Sequence, residues 1–90
     1  MIDKILDRYY AKKLLKRIDT YLFFRWGPDL RFEVKIVKDR IVINGKPYRN
    51  EKYTYIGHVC LDKAMSIFID FDKFMNAIND YIKEIDKKHC

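Results

Sequence analysis

The chain has 90 residues, 49% hydrophobic and 36% charged, with 19 Lys+Arg against 13 Asp+Glu and a formal net charge of +6. That length holds one domain with one core, and the apolar content with 3 Gly and 2 Pro excludes a disordered tail, a collagen-like repeat or a linker. No apolar run reaches the roughly 18–20 residues of a membrane span, and early charges (Asp3, Lys4, Asp7, Arg8) break any secretory leader.

Residues 1–25 read as a helix without Gly or Pro. At about 100° per residue, Ile2, Ile5, Leu6 and Tyr9 share one arc. Tyr10, Ala11, Leu14, Leu15, Ile18, Tyr21 and Leu22 occupy a nearly opposite arc. Two offset arcs predict a kink near Tyr9–Ala11, or contact with two partners, one of them a second subunit. Trp26-Gly27-Pro28-Asp29 ends the helix, with Gly27 suited to a left-handed cap.

Arg31 to Lys38 alternates, with Phe32, Val34 and Ile36 facing one way, so it reads as a half-buried strand. Lys38-Asp39-Arg40 turns into a second strand, Ile41-Val42-Ile43, and Asn44-Gly45 carries a hairpin-turn signal. Pro47 demotes 46–49 to edge or loop. Alternation resumes from Tyr53 to Cys60, with Tyr53, Tyr55 and Val59 on one face and Thr54, Ile56, His58 and Cys60 on the other. Met65–Ile69 reads as a short fourth strand.

Residues 70–88 form the clearest element. Phe71, Phe74, Met75, Ile78, Tyr81, Ile82 and Ile85 fall within about 120° of a helix. Asp70 or Asp72 caps its start, and Lys87, Lys88 and His89 suit the negative end of its dipole. The expected fold is α+β, a single small domain in the order α-β-β-β-β-α. An antiparallel sheet (31–69) packs against the C-terminal and N-terminal helices, the former lying on Phe32, Val34 and Ile36.

Charge is uneven: residues 1–60 carry 14 basic and 7 acidic side chains, and residues 61–90 carry 5 and 6. One basic cluster is Lys12, Lys13, Lys16 and Arg17 on the first helix. The other is Arg31, Lys35, Lys38, Arg40, Lys46, Arg49 and Lys52, interleaved with Tyr48, Tyr53 and Tyr55. Cations beside exposed rings on a sheet suit a nucleic acid, since phosphates take the charge and bases stack on the rings. RNA or single-stranded DNA is favoured over duplex, because no recognition-helix motif is visible. The plainer reading of the lysines is a solvated surface or an acidic protein partner.

Ile2, Ile5, Leu6 and Tyr9 are candidate partner contacts, for a homodimer or a host protein, and Trp26 beside Arg25 is a candidate interface anchor. The rest of Tyr21-Leu22-Phe23-Phe24 reads as a helix end buried in the core.

Cys60 and Cys90 make no disulfide framework, so a reducing, cytoplasmic location is expected. His58 and Cys60 with His89 and Cys90 supply four ligand types, but their spacing matches no zinc pattern, so no metal or other cofactor is expected. The chain has no phosphate loop, nucleophile elbow or H-E-x-x-H, and no positioned acid, base or nucleophile, so a non-enzymatic role is expected.

Phe, Tyr, Met, Ile, Asn and Lys, the residues of AT-rich codons, make up half of the chain. That bias suits an AT-rich bacterium, a bacteriophage or an archaeal virus. It keeps a second class open: a viral effector that blocks a host-defence nuclease or toxin, with RNA as a bridge.

Four strands followed by a long amphipathic helix resembles the half-unit of Whirly-type and PUR-type single-strand binders. Met65-Ser66-Ile67-Phe68-Ile69 leading into Phe74, Ile78, Ile82 and Ile85 carries that similarity, through apolar spacing alone. The long N-terminal helix departs from it.

Overall fold

The computed structural model describes residues 2–27, 29–49 and 51–88, with side chains between residues 6 and 84. Helix α1 (Ile2–Trp26) is a single uninterrupted element through the predicted kink. Its arc Ala11, Leu14, Ile18 and Leu22 is fully buried, whereas Leu6 and Tyr9 are 46% and 51% exposed. The side chains of Ile2 and Ile5 lie outside the described residues. The helix ends where the Gly27 N–H donates to the Phe23 carbonyl at 2.9 Å. No described glycine has a positive φ, so the expected left-handed cap is absent there. Glycine is required for closeness instead: a Cβ at Gly27 would sit 2.2 Å from the Phe23 oxygen.

Three strands follow in one antiparallel sheet, β1 (Leu30–Val37), β2 (Arg40–Pro47) and β3 (Thr54–Cys60), with β2 central. Lys38 and Asp39 make the first turn as expected, with Lys38 at φ 59°. Asn44-Gly45 does not turn: both residues lie inside β2. Gly45 is there for packing, because a Cβ would meet Ile56 Cδ1 at 2.6 Å and the Phe32 ring at 3.1 Å. The chain turns instead at Tyr48 and Arg49, after Pro47.

A bulge breaks the alternation of β3. Ile43 pairs with Gly57 but Asn44 pairs with Tyr55, so Ile56 is the extra residue. The inserted residue reverses the facing of everything before it. Tyr55 therefore joins His58 and Cys60, and Ile56 joins Val59, which corrects the strict alternation expected from sequence.

The expected fourth strand is a helix. A 3-10 turn (Leu61–Lys63) leads into α2 (Ala64–Ile69), and Asp70 alone separates it from α3 (Phe71–Lys88). Ala64 is buried and Ile67 and Phe68 are partly buried, while Met65 and Ile69 are 46% and 77% exposed. That spacing is helical, and a segment as short as Met65-Ser66-Ile67-Phe68-Ile69 does not by itself reveal the period. The architecture is thus α+β, with three strands and three α-helices among the described residues.

Both long helices cover one sheet face. The core joins Leu14, Ile18 and Leu22 of α1, Ile41 and Ile43 of β2, Ile56 and Val59 of β3, and Met75, Ile78 and Ile82 of α3. α1 lies over β1, above half-buried Phe32 and Val34, and α3 lies over β3. The C-terminal helix therefore docks on the expected face but on the other edge strand. Ile36 is left 39% exposed. No described helix is long and apolar enough to cross a membrane.

Candidate nucleic-acid interface

Cross-strand register decides what the other sheet face carries, because directly paired residues point the same way. Arg31 pairs with Lys46, Glu33 with Asn44, and Lys35 with Val42; on the far side Val42 pairs with His58, Asn44 with Tyr55, and Arg40 with Cys60. The helices occupy the opposite face, so this one is uncovered among the described residues. Arg31, Lys35, Arg40, Tyr55, His58 and Cys60 are exposed on it.

The rings on this face are held in place. The Tyr55 hydroxyl is hydrogen-bonded to His58 Nδ1, and the two rings lie 6.1 Å apart at 33°. Lys46 Nζ stands 5.5 Å from the centre of the Tyr53 ring. Two of the cations have acidic neighbours: Lys35 meets Glu33 at 2.8 Å and Arg40 meets Asp39 at 3.8 Å. At these exposures such pairs are weak and can yield to a phosphate. Arg49 and Lys52 extend the charge along the exposed loop between β2 and β3.

The helix cluster lies elsewhere. Lys13 and Lys16 are exposed on the side of α1 turned from the core, and Lys13 Nζ lies 4.6 Å from the Tyr9 ring centre. A hydrogen bond to Tyr9 raises the Lys13 ammonium above its ordinary pKa. Lys12 instead lines a cleft with Arg8, Ile36, Leu61 and Lys38, so one residue of each predicted cluster meets there. Arg17 is engaged structurally: it donates to the Phe68 carbonyl at 3.1 Å and lies 5.1 Å and 4.1 Å from the Phe68 and Phe71 ring centres.

Trp26 is not an exposed anchor. It is 7% exposed, and its Nε1–H donates to Asn79 Oδ1 at 2.9 Å. Asn79 Nδ2 in turn donates to the Tyr21 hydroxyl at 2.7 Å. The reason is position: Trp26 follows Leu22 by one helical turn and shares its buried arc. Phe23 and Phe24, read as buried, are 67% and 78% exposed. They sit about 100° and 200° from Leu22 around the helix, a signal the sequence carried.

Among the described residues no group of three or more His, Cys, Asp or Glu could hold a metal, and His89 and Cys90 lie outside them. Comparisons with protein-family models, curated proteins and solved structures gave no match. The resemblance to Whirly-type and PUR-type half-units loses its basis at the same point as the fourth strand, since Met65–Ile69 is helical.

Proposed function

We propose that the chain is a small non-enzymatic nucleic-acid-binding protein whose uncovered sheet face takes single-stranded RNA or DNA. One observation carries this reading: exposed Tyr55 and His58 stand on an open β-surface among Arg31, Lys35, Arg40 and Lys46. Bases would stack on Tyr53, Tyr55 and His58 while the cations take the phosphates. An open three-stranded surface suits splayed bases better than the groove of a duplex. Leu6 and Tyr9 remain the candidate contact with a second subunit, which sedimentation of a Leu6→Asp variant would test.

The deciding experiment is fluorescence anisotropy with labelled oligouridylate and oligothymidylate across a salt series. Tyr55→Ala should cost about 1–3 kcal/mol of binding with the salt slope unchanged. Failure of the parent to bind either strand below about 100 µM, the weak end of non-specific affinity, would overturn the proposal. The basic face would then belong to an acidic protein partner, as the effector reading requires.

A further inference from the structure

Two rings at the C-terminal end of α1 stand in solvent, Phe23 and Phe24, packed edge to face at 5.7 Å. A third, Tyr48, is 55% exposed and held nearby: its hydroxyl donates to the Gly27 carbonyl at 2.6 Å. Phe23, Tyr48, Leu30 and Arg31 line one groove between α1 and the edge strand β1, with Asp19 as its acidic member. Exposed aromatic surface of this kind is uncommon on a small protein and marks a contact site.

Arg31 links this groove to the open sheet face, where it pairs with Lys46 beside Tyr53. We propose that Phe23, Phe24 and Tyr48 form a second stacking platform, receiving the bases of a single strand that leaves the sheet past Arg31. This rests on the reading that the open face takes a single strand. Charge argues against a second copy of the chain as occupant. From residue 13 to residue 24, α1 exposes Lys13, Lys16 and Arg17 against Asp19, and a face of net positive charge repels its own copy. A polyanion meets those lysines favourably.

The test uses labelled oligothymidylates of about four and about twelve nucleotides, bracketing the reach of a small β-platform. Phe24→Ala and Phe23→Ala should weaken the longer strand roughly 5- to 100-fold and leave the shorter one unchanged, whereas Tyr55→Ala weakens both. Both phenylalanines are exposed, so the variants should melt like the parent, which circular dichroism checks. An unchanged affinity for the longer strand, or an equal loss on both lengths, would overturn the second platform and leave the sheet face standing. A parent that binds neither strand would overturn both readings. A dimer that dissociates on Phe24→Ala would assign the rings to a second copy and overturn this proposal.

Discussion

Lys38 holds the first hairpin in a backbone conformation that its side chain opposes. It has φ 59°, where a Cβ crowds the following carbonyl at a cost of roughly 1–2 kcal/mol. Lys38→Gly should therefore raise stability by about 0.5–1 kcal/mol in a urea melt, the gain being reduced by the entropy of an unfolded glycine. Gly45 poses the reverse problem. The methyl of Gly45→Ala would press on Ile56 Cδ1 and the Phe32 ring, and overpacking of this kind costs about 1–3 kcal/mol. Ile56→Val removes the Cδ1 in the way, so the double variant should be less destabilised than the sum of the singles. Additive losses would show that the collision is with Phe32 instead.

Elements are joined by a few polar contacts set within apolar packing. Arg17 ties α1 to the end of α2, where it satisfies the Phe68 carbonyl and lies over two rings. Arg17→Lys keeps the charge but loses the planar stack, and should cost about 0.5–1 kcal/mol of thermal stability with no change in nucleic-acid affinity. An affinity loss with unchanged melting would show Arg17 meeting phosphate. Asn79 clamps α1 to α3 through Trp26 and Tyr21. Asn79→Leu would leave the buried indole N–H without a partner, a loss of about 1–3 kcal/mol. Trp26 is the sole tryptophan, so its emission spectrum reports the same change directly.

At the scale of the molecule, the two-layer arrangement separates two basic surfaces that sequence alone could not tell apart. One is the open sheet face, and the other is the solvent side of α1. Each phosphate contact on a single strand contributes roughly −0.7 to the log–log salt slope. On a strand of about four nucleotides, held by the sheet face alone, replacing Arg31, Lys35 and Arg40 by Gln should thus flatten the slope by about 2, while replacing Lys12, Lys13 and Lys16 by Gln should change it little. The opposite pattern in a salt titration would place the strand on the helix layer.

Sequence by itself determined the elements whose apolar period is long or unmixed. Phe71, Met75, Ile78 and Ile82 repeat at helical spacing, and all four are buried on α3. The stripe of Ala11, Leu14, Ile18 and Leu22 was equally legible, as was the turn at Lys38-Asp39. Tertiary structure decided the rest, for physical reasons specific to each place. Met65–Ile69 is five residues long, too short to show its period, and the helix brings Ala64 and Ile67 to the core and packs Phe68 on Tyr10 and Arg17. Asn44-Gly45 turns nothing because β3 pairs across it and Ile56 fills the space a side chain would need. The candidate site depends on that same bulge. With one residue inserted at Ile56, Tyr55 turns to the face of His58 and Arg40, and no period of two in the sequence records an insertion that only strand pairing creates.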